Sequence, residues 1–419
     1  MTAWPLDRSD ETLSSREQEV RLLPLRVDFP SYRRDVIFRC FKWDPQVGDV
    51  CTISDHACVL TAASVSRLSR LAEALARETM QLEAALLERP DLHAELGIPR
   101  PLRRVLSRAR GPSDSHVRVM RFDFHPTLDG WAISEVNSDV PGGFAESSAL
   151  PQLAASYVPG ARPAGDVAQA LVSAVSERLG SRKRVALVHA TAYADDRQVM
   201  QFLATRFAAA DFEYALIAPD HLRWNNGCAV SIAHGQEGPI DAIVRFYPAE
   251  WLPALPARSN WPEYFATPTL SCNPPAVVLT QSKRLPLLWD RLGVPVPTWR
   301  SLLPETRDPR DAPWRRDDAW LVKPAFGRVG EDIAWRSGVP RKAWRRTLFR
   351  AYASPRHWIA QRRFASRPLT NSAGPRHVCI GVFTVNGRAA GFYGRISSLT
   401  LIEKQAQDIP VLVSEARPR

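Results

Sequence analysis

Arg121-Phe122-Asp123 is followed, twelve residues after that aspartate, by Glu135-Val136-Asn137-Ser138-Asp139. Arg121, Asp123, Glu135 and Asn137, one guanidinium, two carboxylates and a carboxamide, thus lie on two short segments of alternating polarity. A hard cation such as Mg²⁺ takes oxygen ligands, usually one or two carboxylates completed by substrate phosphates. An arginine beside them presents a planar fork of donors to phosphate or to charge that develops during a reaction. Two isolated lysines follow much later, Lys283 and Lys323, the second just ahead of a glycine-containing loop, Gly327–Gly330. Backbone N–H groups of such a loop close over phosphates and exclude water. These residue types together suggest a nucleotide and metal site.

The elements that carry them follow from the pattern. Val117–Phe124 and Trp131–Val136 alternate around Asp129-Gly130, a strong hairpin signal. Residues two apart on a strand share a face, so Arg121 projects with Asp123, and Glu135 with Asn137. From spacing alone, an exposed hairpin face with an ordinary arginine–carboxylate pair would look the same. Lys323 likewise fits an edge-strand lysine, and Lys283 a solvated helix residue. Upstream, Leu68, Leu71, Leu75, Leu82 and Leu86 follow helical spacing, giving a largely helical N-terminal region over 1–115. The hairpin segment occupies 116–165. Residues 166–255 alternate helix and short apolar strand (Val185–Val188, Tyr214–Ile217, Ala242–Val244), which implies a small parallel α/β unit. That unit has no GxGxxG, so no dinucleotide site is expected there. The last segment, 256–419, reads as mixed α+β, with a helix over Lys283–Leu292, a strand over Ala319–Lys323, a loop over 304–318 and a hairpin around Asn386-Gly387. A basic amphipathic helix is expected at 341–350. Seven tryptophans between Trp289 and Trp358 have apolar or turn neighbours, which favours core packing over stacking on a ligand.

The 419 residues, 45% of them hydrophobic and 24% charged, describe a globular chain of two or three domains. No stretch is long and apolar enough to span a membrane, and the first residues, with no apolar run after a basic patch, lead us to expect no secretory signal. The six cysteines are scattered without a CxxC pair, as expected of reduced thiols in a cytoplasmic protein. A net charge of +11 comes almost entirely from arginine, since only six lysines occur. Spread along the chain, those arginines form no nucleic-acid motif. An arginine-rich genome explains them, and a basic surface would also steer an anionic substrate such as ATP.

The order of blocks resembles the glutathionylspermidine synthase family. The blocks are Arg121-Phe122-Asp123, then Glu135 to Pro141 with Glu146 beyond, Arg245-Phe246-Tyr247-Pro248-Ala249-Glu250-Trp251, Gln281 to Trp289, and Leu321 to Glu331. The resemblance implies a mixed α/β fold of the ATP-grasp type in permuted order, with the acidic metal motif ahead of the two lysines. It implies ATP and Mg²⁺ as cofactors, and amide formation between a peptide carboxylate and a polyamine amine. It implies Mg²⁺ on Asp123, Glu135 and Asn137, with Arg121 stabilising the acyl-phosphate and the tetrahedral species. Lys283, Lys323, Gly327 and Gly330 would meet phosphates, Gln361 the adenine, and Arg395 the phosphates from a late strand. The chain departs from the family in having Ser282 where asparagine is common and Gly327-Arg328-Val329-Gly330 in its loop. Residues 1–110 show no Cys–His pattern for the amidase domain fused in some members, so none is expected there. Glu250 fits an ammonium ligand or a helix-start carboxylate. Three functions remain open at this stage: a small-molecule carboxylate–amine ligase, an ATP-grasp kinase, and a nucleotide-binding protein without catalysis.

Overall fold

The structure, a computed structural model, describes residues 19–108, 116–327, 332–371 and 374–414. The chain opens with β1 (Val20–Pro24), α1 (Phe29–Arg39), β2 (His56–Thr61), the long α2 (Ala62–Leu87) and the short α3 (Arg100–Leu106). Thr61 caps α2, its hydroxyl accepting the Ser64 amide at 3.1 Å. The segment expected to be mostly helical therefore also supplies strands, these two and the short pair Gln46–Val47 and Val50–Cys51. β2 is buried on both faces because its side chains alternate between two cores. Cys58 and Leu60 join the cluster of Leu68 and Leu75, whereas Ala57 and Val59 join that of Tyr32 and Leu150.

The hairpin β3 (Val119–Thr127) and β4 (Gly130–Asn137) forms around Asp129-Gly130 as expected. After it come α4 (Phe144–Ala155) and β5 (Ala161–Pro163). The parallel unit consists of α5 (Val167–Leu179), β6 (Arg184–His189), α6 (Ala194–Ala208), β7 (Glu213–Ile217), β8 (Ala242–Phe246) and β9 (Leu270–Cys272), with strand order β9–β8–β6–β7. Its strands read as continuous apolar runs because both faces are covered. Val185 and Leu187 face the helices α5 and α6, while Ala186 and Val188 face the main core.

Beyond it lie β10 (Thr306–Arg307), β11 (Trp320–Pro324), α7 (Arg341–Ala353) and β12 (Trp358–Arg362), the three strands forming an antiparallel sheet in the order β10–β12–β11. Trp314, Trp320, Trp344 and Trp358 make its core, so these tryptophans pack as expected. The 304–318 stretch is not simply a loop. It contributes β10, buries Trp314 fully and pins Asp308 against Arg284. Nor is Lys283–Leu292 one helix. Pro286 has no N–H to give, and the Lys283 amide bonds the Ala325 carbonyl at 2.9 Å. A 3₁₀ turn over Leu285–Leu288 and a single turn over Trp289–Leu292 replace it.

The chain closes with β13 (Leu369–Asn371), β14 (Gly374–Val385), β15 (Arg388–Ser397), β16 (Gln407–Asp408) and β17 (Val411–Ser414). The central sheet runs β16–β15–β14–β3–β4, with β13 added against β14. One face, carrying Met120, Phe122, Phe124, Ile380 and Val382, packs on the apolar stripe of α2. β17 runs parallel to β2 and joins β1 and β5 in a fourth sheet, so the end of the chain is sewn to its beginning. The result is the expected mixed α/β architecture, with the polar face of the central sheet turned away from α2.

Candidate active site

Alternation along β3 and β4 puts the polar residues on one sheet face. Arg121 lies opposite Asn137, and Asp123 opposite Glu135. Arg121 grips Asp123 with both ends of its fork, Nε to Oδ1 at 2.7 Å and Nη2 to Oδ2 at 2.9 Å, while Nη1 donates to the Gly142 carbonyl at 2.6 Å. The Asn137 amide donates to Asp123 Oδ2 at 3.1 Å. The neighbouring strand makes room for this. Gly381 faces Asp123 across β14, and a β-carbon there would stand 2.7 Å from Arg121 Cδ. On the far side the Tyr393 ring lies 4.8 Å from the guanidinium carbon, a cation–π distance. Burial alone would push Arg121 down, but Asp123 outweighs it and holds the guanidinium above its ordinary value.

A β-bulge completes the site. Asp123 pairs with Glu135 but Phe124 pairs with Ile133, which leaves Ser134 extra on β4. Its carbonyl accepts Lys323 Nζ at 2.9 Å, and its hydroxyl meets His125 Nε2 at 3.0 Å. Lys283 Nζ reaches Glu135 Oε2 at 3.2 Å and the Gly327 carbonyl at 2.7 Å. Two lysines forty residues apart in sequence thus converge on adjacent residues of one strand. Between them lies a narrow cleft with Leu285, Trp299 and Leu303 on its apolar side and Gln361 on its polar side. Gln361 donates to Thr306 Oγ1 at 2.9 Å.

Charge in this cleft is strongly coupled to burial. Burial pushes the Lys323 ammonium down to about 8, only partly opposed by Glu135. The Glu135 carboxyl would be raised by burial, yet Lys283 and Lys323 outweigh that and keep it below its usual range. Burial also drives His125 down to about 4, so its imidazole is neutral near pH 7.

The block Gln281-Ser282-Lys283-Arg284 fixes this arrangement residue by residue. Gln281 Oε1 accepts the amides of Ser138 and Asp139 at 2.7 and 2.8 Å, holding the turn after Asn137. Ser282 donates to the Leu96 carbonyl at 2.7 Å. Arg284 binds Asp308 at 2.7 Å and the Trp358 carbonyl at 2.7 Å. Arg245 and Asp139 form a fully buried ion pair, with the Ala249 amide on the other Asp139 oxygen at 2.8 Å. Asp139 is therefore structural, and the Arg245 block serves to lock the hairpin's exit.

The structure thus brings together Arg121, Asp123, Glu135, Asn137, Lys283, Lys323, Gly327 and Gln361. Arg395 lies apart from the lysine cleft. It is on the same sheet face but donates to the carbonyls of Glu403 and Ala406 at 2.8 and 3.0 Å. Gly330 lies outside the described residues, and Glu250 sits in the first turn of a 3₁₀ helix. Sequence reading missed His125, which strand parity puts on the face of Arg121 and Asp123, and Ser134, which only the bulge brings in. It also missed a buried chain beside Arg121. Tyr393 donates to Asp408 at 2.9 Å, and Lys42 bridges Asp408 and Glu146 at 2.8 and 2.7 Å. Glu146 had a motif to mark it; Lys42 and Asp408 had none.

The oxygen donors of Asp123, Glu135 and Asn137 suit a hard divalent cation. Among the described residues no group of three His, Cys, Asp or Glu could hold a metal by itself. Two carboxylates and a carboxamide would leave the remaining positions to phosphates, the usual manner of Mg²⁺ binding.

Comparison with known proteins identifies the family. The family described as "Glutathionylspermidine synthase preATP-grasp" matches residues 30–414. No curated protein sequence matches. A glutathione synthetase-like effector from Globodera pallida, solved in apo form, superposes with a TM-score of 0.58 at 9% identity, covering 86% of this chain and 89% of that one. A putative gamma-glutamylcysteine synthetase from Methylobacillus flagellatus KT gives a TM-score of 0.45 at 12% identity, covering 79% and 86%. The first of these likenesses is one of fold.

Proposed function

Since the chain belongs to the glutathionylspermidine synthase family, a family of ligase type, we propose that it is an ATP- and Mg²⁺-dependent carboxylate–amine ligase. Its reaction forms an amide through an acyl-phosphate, with a peptide acid and a polyamine as the pair that the family name suggests. The observation that carries this reading is the convergence of Lys283 and Lys323 on the bulge of β4, beside Asp123, Glu135 and Asn137.

A carboxylate is a poor electrophile, and transfer of the γ-phosphoryl turns it into an anhydride whose phosphate leaves readily. Such transfer asks the protein for position and for compensation of shifting charge. Lys323, buried at the cleft floor, supplies a positive charge whose strength grows with its desolvation. Lys283 is paired with Glu135 and would pass from that carboxylate to a phosphate as the nucleotide enters. Bound at Asp123, Glu135 and Asn137, Mg²⁺ would neutralise the phosphates and polarise the P–O bond. Arg121, held rigid between Gly381 and the Tyr393 ring, presents its donors where the acyl oxygen gains charge. The apolar wall of Leu285, Trp299 and Leu303 accepts the adenine, with Gln361 at its polar edge.

The test is ADP release by the purified protein with Mg²⁺-ATP, screened over acids and amines singly and in pairs. Turnover that needs both partners supports a ligase. Turnover with one acceptor alone makes it a kinase, and an absence of ATP binding would leave only the fold.

A further inference from the structure

A second cleft, of about 420 Å³, opens between the Ala94–Arg103 segment and the turn at Ser354–His357. Its walls carry Arg100, Arg103, Arg310 and Arg356 together with His357, and no carboxylate. None of its lining residues belongs to the cleft of Lys283 and Lys323.

The acids near Arg310 are Asp308, Asp311 and Glu95. Asp308 serves Arg284 and Arg310, Glu95 serves Arg291, and Asp91 serves Arg89. Among the described residues, Arg100, Arg103 and Arg356 have no acidic partner. Arg103 Nε is in addition buried without a hydrogen bond. Three guanidiniums thus line one concavity, and the buried Nε of one of them lacks an acceptor, which carries a desolvation cost. A polyanion supplies both the counter-charge and the acceptor. Guanidinium forks match phosphate oxygens two at a time. The volume fits a compact ligand and is at the small end for drug-sized molecules.

The walls are rigid enough to be a site. Arg284 donates to the Glu95 and Pro355 carbonyls, one on each side, and so clamps the two rims together. Gly97 lets the rims touch, because a β-carbon there would lie 2.5 Å from the Arg356 carbonyl oxygen.

We propose that this arginine cleft is a binding site for a compact polyphosphate group, separate from the site of the proposed ligase chemistry. The proposal does not depend on that chemistry. It is tested by titrating inorganic pyrophosphate into the full chain by calorimetry at moderate salt. Wild type is compared with Lys323→Ala and with the double variant Arg100→Gln/Arg356→Gln, whose two residues are exposed and outside the core. Loss of two charge-assisted contacts is expected to weaken binding at this site at least tenfold, to roughly a hundredfold. Lys323→Ala should keep a pyrophosphate component that the double variant lacks. A double variant with an unchanged isotherm overturns the proposal, as does a Lys323→Ala variant that binds no pyrophosphate. Replacing pyrophosphate by sulfate at equal ionic strength separates polyphosphate recognition from general anion attraction, and equal affinity for the two also overturns it.

Discussion

Raising the pH from 7 to 9 should weaken ATP binding roughly tenfold, through Lys323 alone. Burial lowers this lysine from an ordinary 10.5 to about 8. Phosphate is held by the ammonium form, so affinity follows the protonated fraction. With the folded value near 8, that fraction is about 0.9 at pH 7 and about 0.1 at pH 9. A lysine at its ordinary value would stay almost fully charged across the range and give a flat profile. Stability runs the other way. Between about 8 and 10.5 the unfolded chain binds the extra proton, so the folded state gains stability as pH rises through that window. Binding lost while the fold is strengthened cannot be mistaken for denaturation. The assay is calorimetric titration of Mg²⁺-ATP at pH 7, 8 and 9, on wild type and on Lys323→Arg, whose side chain stays charged throughout. The variant should have a flatter profile. A flat wild-type profile, or a variant as steep as wild type, would refute the role given to Lys323.

Three further outcomes concern the rest of the site. Arg121→Ala should lower kcat about 10²–10³-fold with little change in ATP affinity, and Arg121→Lys should rescue poorly because an ammonium lacks the fork; a raised ATP Kd with normal kcat would make Arg121 a nucleotide ligand. Tyr393→Leu should cost about 0.5–2 kcal/mol of Arg121 positioning, about 2–30-fold in kcat, and Tyr393→Phe should restore most of it; equal damage from both would shift the role from the ring to the hydroxyl on Asp408. Arg245→Met leaves Asp139 as a buried, unpaired charge and should lower unfolding stability by about 3–5 kcal/mol in urea titration; a loss under about 1 kcal/mol would contradict the structural role of that pair.

What could be read from the sequence was what local chemistry dictates. The hairpins at Asp129-Gly130 and Asn386-Gly387 announce themselves by turn residues, and strand parity then puts Arg121 with Asp123 and Glu135 with Asn137. The helix α2 is visible in its leucine spacing. What could not be read is non-local. No pattern in Val411–Ser414 says that it pairs with β2, more than three hundred residues upstream. The bulge at Ser134 leaves alternation almost intact, so the carbonyl offered to Lys323 and the hydroxyl offered to His125 were hidden. Arg395 took its expected role from the family resemblance, and its guanidinium turns to carbonyls near Ala406. The expected helix at Lys283 failed because the backbone there is bonded to Ala325 instead of to its own turn. Lys42 stands in an unremarkable turn, and only the fold delivers it to Asp408 and Glu146.

The most direct test of ligase chemistry follows an oxygen atom. The acid that supports ADP release is prepared with ¹⁸O in its carboxylate and turned over with its amine partner. Mass spectrometry then reads the inorganic phosphate. Activation as an acyl-phosphate leaves one carboxylate oxygen on phosphorus when the amine displaces it, so phosphate carrying a single ¹⁸O is the expected result. Phosphate with no label, formed while amide accumulates, would contradict an acyl-phosphate route and with it the roles given to Arg121, Lys283 and Lys323.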